Sequence, residues 1–201
     1  MRTAPQSSDQ WPTLVATASA QEISAGLGDR DLDATDTVGR TAALIAAKAG
    51  RLDVLATLIE AGADINTQDN ICLNPFLWGC ISGNVELVRM GAEAGADLTL
   101  LTRFGGVGIH PPAEKGHVDV VRYLAEETDV NVNLTNICGW TPLLEAIILR
   151  DGGLVQQEIV KLLLDAGADP GMVDQWGVSP LQHAQDKGFT EIAALLTAGR
   201  A

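Results

Sequence analysis

AGRLDVLATLIEAGADIN, residues 49–66, decides the fold. Leu52, Leu55, Leu58 and Ile59 recur at steps of three and four and fall on one helical face, leaving Asp53 and Glu60 on the wet side. Gly62 follows the last periodic position, where a residue without a Cβ takes the left-handed conformation that ends a helix. Asp64 and Asn66 then lie in a short polar connection.

The chain writes this stretch several times. EAGADIN at 60–66 returns as EAGADLT at 93–99, 33 residues on, and as DAGADPG at 165–171. A second marker appears in VGRTAALIAAKAG (38–50), CGWTPLLEAI (138–147) and WGVSPLQHAQDKG (176–188). Gly39, Cys72, Gly105, Gly139 and Gly177 stand at aligned starts, separated by 33, 33, 34 and 38 residues. A period of 33 carrying a turn, a TPLH-like helix start and a GAD exit resembles the ankyrin repeat, over nearly the whole chain. More narrowly, TRFGGVG (102–108), EKGH (114–117) and GWTPLLEAI (139–147) with DGG (151–153) resemble a small ankyrin-repeat protein of enterobacteria. The resemblance implies an all-α repeat fold, an ankyrin-repeat solenoid of stacked helix-turn-helix units joined by β-hairpin-like loops. It also implies partners bound on the concave face made by hairpin tips and inner helices. One such scaffold serves many unrelated partners, so the resemblance is stronger for fold than for function.

Residues 1–10 read as a disordered tail, and 11–201 as one domain, since a solenoid grows by adding neighbours. Its parts are a degenerate N-terminal cap at 11–36, with helices over 11–17 and 21–27, and repeats at about 37–69, 70–102, 103–136, 137–174 and 175–201. Thr41 is placed to cap the first inner helix, and Asn74 with Pro75 fills the same roles one repeat later. Cys72 replaces the expected glycine; a positive φ there costs about 1 kcal/mol unless the turn changes type. Gly91 inside an outer helix costs about 1 kcal/mol against Ala, which makes that helix the softest of the set. In the third repeat Val107–His110 occupy the TPLH positions, and Pro111 and Pro112 predict an inner helix that begins late. The fourth repeat carries five surplus residues in LRDGGLVQQE, which must bulge the turn or lengthen a helix.

The chain has 13 basic and 26 acidic residues, a net charge of -13, which repels phosphate backbones and disfavours nucleic acid while favouring a basic protein surface. No apolar run approaches the roughly 20 residues that span a bilayer, and the start lacks a secretion signal. Three cysteines, Cys72, Cys80 and Cys138, form no paired framework and fit a reducing, cytoplasmic setting. A monomer is expected.

Chemistry is sparse. The glycines of GGVG lack the GKS or GKT ending of a phosphate loop. Ser19, Ser82 and Ser179 have no periodic His and acid companions. His117 sits in the GH step, where the family uses a histidine to bridge turns, and a metal set of His110, Cys80 and Glu114 is weighed and set aside. No catalytic residue, cofactor or metal is expected, and the chain reads as a non-enzyme. Recognition is the better case. The tips before each aligned start are Val38, Ile71, Phe104, Cys138 and Trp176, with Arg40 and Trp140 just beyond theirs and Arg103 before Phe104. Such a column either binds a partner or packs tip against tip. On the inner helices the position expected to be exposed reads Ile45, Trp78, Pro111, Glu145 and His183. Trp78 rimmed by Glu114, Glu145 and Asp151 suits an Arg or Lys of a basic partner. The site residues expected from sequence are therefore Arg40, Trp78, Arg103, Phe104, Glu114, Trp140, Glu145, Asp151 and Trp176. Two alternatives remain: a small-ligand or enzymatic protein using the loops at 105–112 and 150–155, and a transcription-associated regulator acting through a protein partner.

Overall fold

The computed structural model describes residues 11–198; the expected tail at 1–10 and the last three residues lie outside them. The described residues form twelve helices and no strand. They come in pairs, an inner helix followed by an outer one: α1 (Trp11–Thr17) and α2 (Ala20–Gly26), α3 (Ala42–Lys48) and α4 (Leu52–Glu60), α5 (Pro75–Ser82) and α6 (Val85–Glu93). Then follow α7 (His110–Lys115) and α8 (Val118–Glu127), α9 (Pro142–Ile148) and α10 (Leu154–Asp165), α11 (Pro180–Asp186) and α12 (Thr190–Ala198). Two compact units result. Residues 11–79 together with Glu86–Asp97 make the first, and Cys80–Val85 together with residues 98–198 make the second.

In the first unit α1 packs on α3 and α2 on α4. The buried face of α4 is Val54, Leu55 and Leu58, so the stripe read from the sequence is turned slightly, with Leu52 and Ile59 at its edges. The inner helix α3 is buried from Ala42 through Ala47, because alanines let neighbouring helices approach. Thr41 accepts the Leu44 N–H at 3.2 Å and Asn74 the Leu77 N–H at 2.8 Å, so both caps form. Ser19 caps α2 in a reciprocal arrangement with Glu22. Gly91 has a reason beyond propensity: a Cβ there would stand 3.1 Å from the Cβ of Phe76, which is fully buried.

In the second unit inner helices α7, α9 and α11 pack in sequence, as do outer helices α8, α10 and α12. The third repeat enters its inner helix late, as Pro111 and Pro112 predict, and α7 is left with six residues and no side-chain cap. The surplus of the fourth repeat is divided. The outer helix α10 has 12 residues where α4 has 9, and the connection at 149–153 is longer than its counterpart at 49–51.

Main-chain groups between helices are satisfied repeat to repeat. Asp33 accepts the Asp64 N–H, Asn66 the Asp97 N–H and Asn133 the Asp169 N–H, each at 2.8 Å, which is the service the GAD exits perform. His117 reaches back to the Ile81 carbonyl at 3.3 Å, and Arg51 donates to the Ala18 carbonyl at 2.6 Å from the equivalent position.

Candidate functional site

Four of the five hairpin-like turns are built on one short polar side chain. Asp36 Oδ1 accepts the N–H groups of Val38 and Arg40, at 3.0 and 2.9 Å. Asp69 does the same for Ile71 and Leu73, Asn136 for Cys138 and Trp140, and Asp174 for Trp176 and Val178, all between 2.8 and 3.1 Å. The third turn has Thr102 instead and closes through main-chain bonds to Gly106 and Gly105. The residue three places on must then take positive φ: Gly39, Gly105, Gly139 and Gly177 sit at 81, 75, 71 and 79°, and Cys72 at 62°. The non-glycine residue keeps the turn and takes the strain.

This geometry thrusts the tips into solvent. Phe104 is 54 % exposed, Ile137 69 % and Trp176 68 % in the second unit; Val38 and Ile71 are also exposed in the first. Ile137, not the expected Cys138, is the outward apolar residue of the fourth turn, and Cys138 is half-buried. Neighbouring tips are tied by main chain, with the Ile137 N–H donating to the Phe104 carbonyl at 2.9 Å. Arg103, also exposed, lays its guanidinium 4.6 Å over the Phe104 ring. Arg40 is half-buried and paired with Asp36 at 2.7 Å.

The inner-helix position differs from its expected exposure. Ile45 and Glu145 are buried, and Trp78, Pro111 and His183 are half-buried. In the last two repeats the cause is local: the residue nine places after the turn's polar anchor folds back over it. In the fifth repeat His183 Nε2 meets Asp174 Oδ2 at 2.9 Å. In the fourth, Asn136 Nδ2 donates to Glu145 Oε1 at 2.6 Å, and Glu145 Oε2 is buried with no hydrogen-bond partner. Burial pushes the Glu145 carboxyl up to about 7, Glu114 on α7 pushes the same way, and the Asn136 amide opposes them. In the first unit the Trp78 ring is already covered by a cation, the ammonium of Lys48 at 5.0 Å.

His110 lies under the fourth turn, its Nε2 3.3 Å from the Trp140 carbonyl. Burial pulls the imidazole down to about 4, against those main-chain bonds, so it is neutral through the ordinary pH range. Gly106 is the space the ring needs, since a Cβ there would come within 2.6 Å of it. Trp140 is half-buried, with its indole N–H enclosed and unpartnered. Cys80 is fully buried, which pushes its thiol well up. No three His, Cys, Asp or Glu residues converge as metal ligands among the described residues. Ser19 and Ser179 are helix caps. Asp151 is exposed and accepts the Gly153 N–H at 3.0 Å. It lines an open recess of about 620 Å³ with Lys115, Arg150 and Gln156 and the apolar Leu149 and Val155. No described helix is long and apolar enough to cross a membrane.

Helix pairs stacked inner on inner and outer on outer, joined by turns that hang on one polar anchor, define the ankyrin repeat. Models of the ankyrin repeats match residues 31–90 and 76–174. The chain is 50 % identical over 171 residues to the ankyrin repeat protein YahD of Escherichia coli (strain K12), 85 % of each being covered. The crystal structure of an ankyrin repeat domain from Acinetobacter baumannii AYE is 42 % identical with a TM-score of 0.92, over 97 % of this chain and 100 % of that one. That of the ankyrin repeat protein EF0377 is 33 % identical with a TM-score of 0.89, over 96 % and 98 %. The chain belongs to the ankyrin-repeat family.

Proposed function

We propose that this chain is a non-enzymatic protein-binding module, acting as a cytoplasmic monomer, that holds a basic partner on its hairpin and inner-helix side. The observation that carries this reading is the exposure of Phe104, Ile137 and Trp176 on successive turns of one unit. Large apolar side chains on rigid turns have little entropy to lose on binding and dominate interface energy when covered. The net charge of -13 favours a basic partner in encounter rate and selectivity. Free cysteines at all three positions support a reducing compartment. Affinity capture from native lysate tests the reading. A partner held by the parent chain is lost from a Phe104→Ala, Trp176→Ala variant; unchanged capture removes the tips from the account.

The recess beside Lys115 and Arg150 favours a second reading, a small-ligand site on the long fourth-repeat loop. Only the 150–155 side of the two loops considered from sequence lines it. A metabolite screen by thermal shift, with Arg150→Ala as the control, decides that alternative.

A further inference from the structure

In the second unit, α9 carries a carboxylate where its surroundings supply too few donors. Glu145 is 7 % exposed, and only its Oε1 has a partner, Asn136. A buried carboxylate oxygen without a donor is costly unless a charge or a proton answers it. The elements packed on α9 are α7, α10 and α11. On α10, Glu158 is held by Arg122 and Lys161 by Asp165. On α11, His183 is held by Asp174 and Asp186 by Gln182. On α7, His110 rests against the Trp140 carbonyl, Pro111 and Pro112 bring no N–H, and Lys115 is exposed at the recess. That leaves Glu114, half-buried, whose negative charge acts on Glu145. Arg150 donates to the main-chain carbonyl of Glu114, and the Glu114 carboxylate has no ion pair among the described residues.

We infer that Glu114 and Glu145 form one receptor for a single cationic side chain of the partner, arginine or lysine, which answers the unpartnered Glu145 Oε2. The inference rests on the protein-binding reading and specifies its chemistry. Without the partner, one carboxylate and one carboxylic acid share a net charge of minus one. When a guanidinium or ammonium arrives, Glu145 gives its proton to solvent, and two carboxylates facing one cation again carry minus one. Charge at the receptor is conserved, so the exchange avoids placing two uncompensated carboxylates side by side. Linkage then makes affinity rise up to about tenfold per pH unit below the Glu145 midpoint and level off above it.

The experiment uses the full chain with glutamate labelled at Cδ, the Glu145 resonance being assigned by its loss in Glu145→Gln. Its titration is followed by NMR with arginine amide and, at matched ionic strength, with citrulline amide, which has the same shape and no charge. Arginine amide lowers the Glu145 midpoint by about one unit at saturation, citrulline amide leaves it in place, and Glu114→Gln abolishes the arginine effect. Equal behaviour with the two amides, or an arginine effect that survives Glu114→Gln, overturns the inference. The wild-type comparison alone suffices if the variant is unfolded. Failure here with tip variants that still lose the partner defeats the receptor and not the binding module.

Discussion

Asn136 and Glu145 make, with donor and acceptor exchanged, the contact that Asp174 and His183 make one repeat later. The first pair is 2.6 Å apart and the second 2.9 Å, and both span nine residues from the base of a hairpin to the inner helix. In each case the anchor's Oδ1 faces the turn's N–H groups while its second atom faces the helix. An acceptor at Asp174 calls for a ring N–H, and a donor at Asn136 calls for a carboxyl. The pair is one unit of design in which either polarity works if both members agree.

Exchange within that pair is the first prediction. Asn136→Asp keeps the turn's acceptor but sets a second carboxyl against Glu145, and should cost about 1–3 kcal/mol. Adding Glu145→His recreates the fifth-repeat pair and should recover most of the loss. Denaturant unfolding at pH 8, where both carboxyls would have to be ionised, in a double-mutant cycle measures it, and a coupling energy below about 0.5 kcal/mol would show that the two residues act independently.

Stability should depend on pH through two groups of opposite sense. Glu145 has a folded value raised from 4.5 to about 7, so its contribution is full below 4.5 and is lost as pH rises through 7. His110 is lowered from 6.5 to about 4, so its contribution is present above 6.5 and is lost as pH falls through 4. Glu145→Gln should therefore be more stable relative to the parent at pH 8 than at pH 4.5, by about 1–3 kcal/mol. Thermal melts of both proteins across that range check it; parallel curves would mean that Glu145 titrates as it does in the unfolded chain.

Much of this architecture is legible in the letters because local chemistry determines it. The period fixes the helix pairs, Thr41 and Asn74 announce their caps, and Pro111 with Pro112 announces the late start of α7. The positive φ of Cys72 follows from its place among glycines. The site is less legible, since its orientation depends on what each side chain meets across the stack. Glu145 looks like a surface acid until Asn136 is seen to draw it inward. Trp78 looks open to a foreign cation until Lys48 is seen above it. Gly91 looks like a weakness until Phe76 is found against it. The Asn136-to-Glu145 pairing does have a sequence signal, the Asp174-to-His183 spacing repeated, but it emerges only when the turns are aligned on their anchors.

Relief of backbone strain gives a third prediction. Cys72→Gly should stabilise the protein by about 0.5–1 kcal/mol, the left-handed penalty removed exceeding the extra entropy of a glycine in the unfolded chain. A denaturant midpoint that falls instead would place the strain elsewhere.

Close packing gives a fourth, with a sign opposite to helix propensity. Gly91→Ala favours the helix by about 1 kcal/mol, yet the added methyl would lie 3.1 Å from the Phe76 Cβ, an atom tied to its backbone. Overpacking of about 1–3 kcal/mol should win and leave the variant less stable, as calorimetry would show. A stabilised variant would mean that α5 and α6 separate without cost.

The most direct test of the binding account is photo-crosslinking of the full chain in living cells. A benzophenone amino acid is placed singly at Phe104, Ile137 or Trp176, and in controls at the exposed outer-helix positions Glu158 and Ala194. The account predicts one discrete protein adduct shared by the three tips and absent from both controls. Adducts at the controls with none at the tips, or no adduct at any tip, would contradict it.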